Sequence, residues 1–302
     1  TVLRRGRVVG TTTPEAADEA ELARMMVGRP VQLEVAKSAA TVGEEVLQIR
    51  GITVRDDRQQ VAVNDLDLTV RAGEIVAIAG VQGNGQTELV DAITGLRRVE
   101  SGEIRIAGAP AQSDPRHVFA AGVGHVPEDR LEEGLVVGFS VAENMILNSY
   151  YLEPYSSGLA LHRDAMLATA TELAGEYDVR TTSVLNDIGN LSGGNQQKVI
   201  VAREFSRPLK LLVAAQPTRG LDVGSIEYIH KRIVAKRNEG TAVLIVSTEL
   251  EEVLSLGDRI AVMFQGRIVD ILDPSEATPE RLGLLMGGAH PEEGIVPVTA
   301  GA

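Results

Sequence analysis

The chain has 302 residues, 44% hydrophobic and 24% charged, with a formal net charge of −13 and no cysteine. This composition supports one large folded domain or two modest ones. It excludes disulfides and thiolate metal sites, argues against general nucleic-acid binding, which needs basic faces, and contains nothing near the roughly 18 apolar residues of a membrane span.

The first 28 residues return at the far end. Residues 1–28 align without a gap on residues 261–288: Val2 on Val262, Gly6 on Gly266, Arg7 on Arg267, Val9 on Val269, Pro14 on Pro274, Leu22 on Leu282, Met26 on Met286 and Gly28 on Gly288. Each copy reads as a hairpin turning at its Gly, a loop with Pro, and a helix. Ungapped register through two kinds of element points to duplication. Residues 1–29 are therefore expected to be the tail of a preceding homologous domain. Residues 30–45 would be a linker, 46–288 a complete domain and 289–302 a loose tail.

Within 46–288 the chain opens with strand patterns. Val46–Ile49 and Val61–Val63 flank a charged turn at Asp56-Asp57-Arg58, and Leu66, Leu68 and Val70 alternate clearly. An apolar run, Ile75–Ala79, enters Gly80-Val81-Gln82-Gly83-Asn84-Gly85-Gln86-Thr87, and a helical pattern from Glu88 leaves it. Strand, Gly-rich turn and helix is the context of a phosphate-cradling loop. The pattern G-x-x-x-x-G-K-[ST] is met at Gly80, Gly85 and Thr87, but Gln86 replaces its Lys. Residues 141–178 carry helical patterning with a turn near Pro154–Gly158. Leu191-Ser192-Gly193-Gly194-Asn195-Gln196-Gln197-Lys198 then opens a helix reaching about Ser206, with Ser192 as a candidate cap. Buried strands follow at Leu211–Ala215 and Ala242–Val246, separated by a helix near Ile226–Asn238. Strands alternating with helices predict an α/β fold with a mostly parallel sheet and ligands at the strands' carboxyl ends.

Several residues have plainer readings. His125 and His230 do not stand at metal-ligand spacing from Asp or Glu and read as packing or surface residues. Met25, Met26 and Met286 fit apolar helix positions and read as core. The run Glu249–Glu252 reads as a solvated helix start. A Gly-rich turn without Lys is often structural, and Leu-Ser-Gly-Gly alone is weak. In this order and spacing the two together are strong.

Residues 46–288 resemble the nucleotide-binding domain of ABC transporters. More narrowly they are similar to the second half of the tandem ATP-binding proteins of simple-sugar and nucleoside importers. The narrower likeness is carried by Val126–Arg130, Phe139–Asn144, Leu191–Val199 and Ala215–Gly224. The resemblance implies a P-loop ABC-type fold with an N-terminal antiparallel β part and an inserted helical subdomain. Gly80, Gly83, Asn84, Gly85, Gln86, Thr87 and Glu88 fall at its phosphate loop, with Thr87 as a weak magnesium ligand. Leu191, Ser192, Gly193, Gly194, Asn195 and Gln196 form its signature, Glu128 falls at the permease-coupling position and Asp222 in the dimer-contact loop. The departures are specific. Gln86 stands for Lys, Ala215 for the magnesium Asp, Gln216 for the Glu that activates water and Thr248 for the switch His. Glu128 stands for Gln, and no Tyr near Arg58 offers to stack on adenine.

The resemblance further implies that two such domains pack head to tail, each site combining one domain's phosphate loop with the other's signature. The expectation is an energy-coupling half of an importer for nucleosides or sugars, peripheral to the cytoplasmic face of the membrane. Its signature closes over ATP and Mg2+ held by the preceding domain, while its own loop binds nucleotide weakly or not at all and this half alone turns over little. Partners would be that domain, integral-membrane permease subunits touching Glu128 and residues 131–160, and, indirectly, an extracellular solute-binding protein, with no nucleic acid. Alternatives are a nucleotide-sensing or purely structural pairing domain, and a soluble ABC ATPase outside transport.

Overall fold

The computed structural model describes residues 1–4, 6–13, 18–28 and 35–288. Of the linker expected at 30–45, residues 35–44 form no helix or strand; the rest of it, and the tail expected at 289–302, lie outside the described residues. In chain order the elements begin with β1 (Val2–Arg4), β2 (Arg7–Gly10) and α1 (Glu19–Val27). Then come β3 (Glu45–Arg55), β4 (Val61–Arg71), β5 (Ile75–Ala79), α2 (Gln86–Ile93), β6 (Ser101–Ile106), β7 (Ala109–Pro110), α3 (Pro115–Ala120) and β8 (Val123–Val126). A π-turn at Arg130–Gly134 leads to α4 (Val141–Met145), β9 (Ser156–Ser157), β10 (Ala160–Leu161), α5 (Arg163–Glu176) and α6 (Gly193–Phe205). The chain ends through β11 (Leu211–Ala215), α7 (Val223–Asn238), β12 (Ala242–Ser247), α8 (Leu250–Leu256), β13 (Arg259–Phe264), β14 (Arg267–Leu272) and α9 (Pro279–Met286).

The described residues fall into two compact units. One holds residues 1–38, 127–207 and 218–235; the other holds 39–126, 208–217 and the chain from 236 onward. The second unit is built on a six-stranded sheet of order β14-β13-β5-β12-β11-β8, parallel except for the β13–β14 pair. β5, β11 and β12 are buried at every residue, as expected for parallel strands covered on both faces. A four-stranded antiparallel sheet, β4-β3-β6-β7, belongs to the same unit, and its alternating burial matches the Leu66-x-Leu68-x-Val70 pattern. Residues 127–207, largely helical, lie between β8 and β11, which are neighbours in the sheet. They are the insertion the sequence led us to expect.

Three readings need correction. The helical patterning of residues 141–178 is realised only in part: α4 is five residues long, and a small β9–β10 hairpin stands at the turn expected near Pro154–Gly158, before α5. Met26 is 50% exposed rather than core, because its face of α1 lines a cleft described below. Glu252 is buried, so the Glu249–Glu252 run is solvated only in part.

The repeat is preserved in detail. β1 pairs β2 as Val2↔Gly10, Leu3↔Val8 and Arg4↔Arg7, with a register shift after Val2. β13 pairs β14 as Val262↔Asp270, Met263↔Ile268 and Phe264↔Arg267, with the same shift after Val262. The helices match too. Asp18 caps α1 by accepting from the Glu21 N–H, and Thr278 caps α9 by accepting from the Arg281 N–H. Gly6 and Gly266 turn the hairpins at φ 74° and 78°, in the left-handed region that glycine enters without steric cost.

Candidate functional site

In the second unit, β5 delivers the chain into Gly80–Thr87 and α2 starts at Gln86, with Gly85 at φ 99° as its N-cap residue. A side chain at Gly85 would meet the Ala62 carbonyl oxygen at 2.2 Å, so the close approach requires glycine. Gly83 is exposed and Glu88 is in the first turn of α2, where a carboxylate suits the helix dipole. The Gln86 side chain does not extend out of the loop. It folds back into it, 8% exposed, donating from Nε2 to the Val81 carbonyl (3.0 Å) and accepting at Oε1 from the Asn84 N–H (3.1 Å). One backbone donor of the cradle is thus consumed by the chain itself. Asn84 is held in turn by the β13–β14 turn, accepting from the Gln265 N–H at Oδ1 and the Gly266 N–H at its carbonyl, each at 2.9 Å. Thr87 is exposed.

At the carboxyl ends of β11 and β12 a second amide closes on its neighbour. Gln216, at φ 46°, donates from Nε2 to Thr248 Oγ1 (3.1 Å) and accepts at Oε1 from the Thr248 N–H (3.2 Å). Ala215 beside it is buried and brings no ligand atom. An amide oxygen is an uncharged ligand, weaker than a carboxylate toward a divalent cation, and it lacks the basicity to take a proton from water.

In the first unit, α6 opens at Ser192. The expected cap is absent, since the Ser192 side chain makes no hydrogen bond to the α6 backbone. Its Oγ accepts instead from Asn195 Nδ2 (3.0 Å), and Asn195 Oδ1 accepts from the Arg180 N–H (2.9 Å). The first-turn N–H groups of α6 are therefore left for another acceptor. Gly194 has no room for a side chain, because a Cβ there would meet Ser225 Oγ at 2.2 Å. Ser225 is held by Asp222, which accepts from its N–H (3.1 Å) and its hydroxyl (2.7 Å). Leu191 ends the 3-10 turn before α6, and Gln196 is buried with its amide donating to the Ile188 carbonyl at 3.3 Å.

These residues open on a polar cleft of about 610 Å³. Ser192, Gly194, Asn195 and Asp222 line one part of it, and Leu3, Arg4 and Met26 from the β1–β2–α1 segment line another. Sequence reasoning missed Asp178, Arg180, Lys198 and Tyr228, which line it too. Lys198 Nζ donates to Asp178 Oδ2 (2.6 Å) and to its carbonyl (2.9 Å), and lies 4.6 Å from the centre of the Tyr228 ring. Burial alone would raise the Asp178 carboxyl, but Lys198 and then Arg180 outweigh it and hold it below the usual carboxylate range. The one sequence signal was Lys198 itself, a charge on the core face of a helix that needed a counter-charge.

Glu128, on the same unit, accepts from Arg219 Nη1 at 2.7 Å. Arg130 donates to the Arg219 carbonyl at 3.1 Å, and its guanidinium lies beside Gly193. The α4 end carries a full capping box, Ser140 with Glu143. The hydroxyl and backbone N–H of Ser140 hold the Glu143 carboxyl below its ordinary value. Beyond it lies an open groove of about 820 Å³ with Phe139, Ile146, Leu147, Tyr150, Leu161 and Met166 in its walls.

Among the described residues no helix is long and apolar enough to cross a membrane. The family model described as ABC transporter matches residues 63–219, just over half of the chain. The chain is 50% identical over 294 residues to the guanosine import ATP-binding protein NupO of Bacillus subtilis, covering 97% of this chain and 58% of that protein. It is 47% identical over 294 residues to the nucleoside import ATP-binding protein NupA of Lactococcus lactis, with the same coverage, and 41% identical over 293 residues to a ribose import ATP-binding protein RbsA of Rubrobacter xylanophilus, covering 96% and 57%. It thus spans little more than half the length of the curated relatives it matches. Among solved structures, the ADP conformation of MJ1267, an ATP-binding cassette of an ABC transporter, matches at 20% identity and TM-score 0.64 over 82% of this chain and 96% of that one. A nucleotide-free ATP-binding cassette from an ABC transporter matches at 21% and TM-score 0.65 over 80% and 95%. The fold is therefore that of the ATP-binding cassette, α/β with a mostly parallel sheet and an antiparallel β part, and the chain belongs to the ABC transporter family.

Proposed function

We propose that this chain is the C-terminal nucleotide-binding half of a tandem ABC importer ATPase, and that its signature, not its own phosphate loop, serves ATP hydrolysis. The observation that carries this is the contrast between the two places. Gln86 folds into the phosphate loop and takes the Asn84 N–H, while α6 leaves its first-turn N–H groups uncapped beside an open polar cleft.

A magnesium nucleotide does not fit the loop Gly80–Thr87. The cradle is partly filled by its own amide, Ala215 supplies no carboxylate, and Gln216 and Thr248 satisfy each other. We therefore assign no reaction step there. The phosphate end of a nucleotide held by a neighbouring domain does fit the Ser192–Asn195 cleft. Ser192 and the N–H groups of Gly193 and Gly194 would hold its terminal phosphoryl group, and bound ATP supplies the phosphoanhydride bond that is cleaved. These donors stabilise negative charge on the phosphoryl oxygens, where catalysis of this kind gains most.

The repeat supports the neighbour's identity. In the second unit the turn Gln265-Gly266 holds the phosphate loop through Asn84. In the first copy Leu3 and Arg4, which match Met263 and Phe264 just before that turn, line the signature cleft. An upstream domain built like this one, ending at residues 1–28, would bring its own phosphate loop beside its hairpin turn and so beside this signature.

Transport of a nucleoside or simple sugar is supported by the relatives, whose names specify guanosine, nucleoside and ribose import. The higher identities to the first two favour a nucleoside. The partners we propose are the upstream domain, permease subunits and, through them, a solute-binding protein. The permease would meet Glu128 and the apolar groove along residues 138–166, and would hold the chain at the cytoplasmic face of the membrane. The test is ATPase activity of this 302-residue chain alone. We expect turnover far below that of the full-length protein; transporter-like turnover that disappears in Gln86→Ala would refute the division of labour.

A further inference from the structure

Ser192 stands at the N-cap position of α6 yet does not cap it. Its hydrogen bond runs to Asn195, and the direction of that bond is fixed by a neighbour. The Arg180 backbone N–H can only donate, so the Asn195 atom facing it at 2.9 Å must be the carbonyl Oδ1. The remaining amide atom is then Nδ2, which also can only donate, and the Ser192 Oγ 3.0 Å away must accept. No choice of amide flip reverses this. Ser192 therefore keeps its own proton for an acceptor elsewhere, and its exposed side chain lines the cleft. The backbone that sets the chain of bonds is itself fixed. Asp178, two residues before Arg180, is tied to Lys198 of α6, three residues after Asn195 and on the same face of the helix.

Taking as given the role proposed above for Ser192, we propose that Asn195 is a positioning residue that holds the Ser192 hydroxyl as a donor toward a phosphoryl oxygen, an atom that can only accept. Asn195→Asp is the informative change. The carboxylate is isosteric and still accepts from Arg180, but it has no proton to give, so it draws the Ser192 O–H inward. The donor is then lost without loss of a side chain.

The experiment is a double-mutant cycle on ATP hydrolysis by the full-length protein assembled with its permease, comparing Ser192→Ala, Asn195→Asp and the pair, with thermal transitions recorded for each. Loss of a charge-assisted bond predicts a fall in kcat/KM of about 10–100-fold for each single variant. The pair should fall no further than Ser192→Ala, because both changes remove the same bond. Losses that multiply in the pair would overturn the inference, since they would mean that the new charge acts directly on the nucleotide. Full activity in Asn195→Asp beside a damaged Ser192→Ala would overturn it also. Full activity in Ser192→Ala would instead overturn the signature's role and this inference with it. Should Asn195→Asp fail to fold, Asn195→Ala answers the same question. It frees the hydroxyl among its rotamers, so a loss of about threefold is expected in the parent and none in the Ser192→Ala background; an equal loss in both backgrounds would overturn the proposal.

Discussion

The phosphate loop and the signature both put glycines before a helix, and the chain treats them oppositely. At Gly80–Thr87 a neutral side chain turns inward and satisfies the loop's own backbone. At Ser192–Asn195 the side chains turn away from the helix end and leave its donors open. What stands behind each differs as well. The loop is secured by neutral amide bonds through Gln86 and Asn84. In the last turn of α6, at the end away from Ser192, sits a buried charged hub. Arg203 donates to Glu204 (2.9 Å) and to the Gly134 carbonyl (2.9 Å), and Asn148 donates to Glu204 (2.9 Å). On the reading proposed above, the amide-closed loop is a structural pin and the helix end left open is a binding surface.

The largest effect on stability is expected at that hub. Arg203→Met leaves the Glu204 carboxylate buried without its principal partner, a loss of roughly 3–5 kcal/mol. Asn148 and Arg207 remain near Glu204 and hold the value to the low end. Chemical denaturation would read it, and a change under 1 kcal/mol would remove the hub from the comparison.

A smaller effect is expected from Lys198→Met. Asp178 is half exposed, so its bond to Lys198 is discounted to about 1 kcal/mol. The Asp178 carboxyl is lowered in the folded state, so its contribution is complete above the ordinary aspartate value near 4 and is lost as pH falls through the lowered one. Thermal unfolding of the parent should therefore weaken on acidification below about pH 4, and that of Lys198→Met should weaken less. An identical acid dependence in both would show that the Lys198–Asp178 pair does not contribute to stability.

An effect of similar size is expected at the loop. Gln86→Ala removes two neutral hydrogen bonds and should cost about 1 kcal/mol of stability. Gln86→Lys should raise the ATP affinity of the isolated chain, read by calorimetry, without producing turnover, because Ala215 and Gln216 are unchanged. Turnover restored by that single lysine would erase the distinction between the two places.

Much of the fold was legible because its strongest signals are local. The apolar runs Ile75–Ala79, Leu211–Ala215 and Ala242–Val246 read as covered strands through their shortness and position between helical patterns, and the Leu66–Val70 alternation as a half-buried one. The hairpin β13–β14 was visible through its repeat in β1–β2. Residues 141–178 misled because their apolar spacing serves a five-residue helix, a small hairpin and the wall of a groove together. In the site, the loop and the signature were readable as motifs, but side-chain direction was not. That Gln86 folds inward depends on the position of the Asn84 N–H, and that Ser192 forgoes its cap depends on Arg180, fifteen residues before Asn195. Such pairings arise from tertiary geometry, which no periodicity records.

The central claim, that the open signature serves hydrolysis and the closed loop does not, is tested most directly by ATP hydrolysis of the proposed tandem protein with the proposed permease, comparing Ser192→Arg with Gln86→Ala. We expect Ser192→Arg to lose at least about 10²-fold, as when a donor to developing charge is removed, and Gln86→Ala to retain the parent rate. Retained hydrolysis in Ser192→Arg together with its loss in Gln86→Ala would contradict the account.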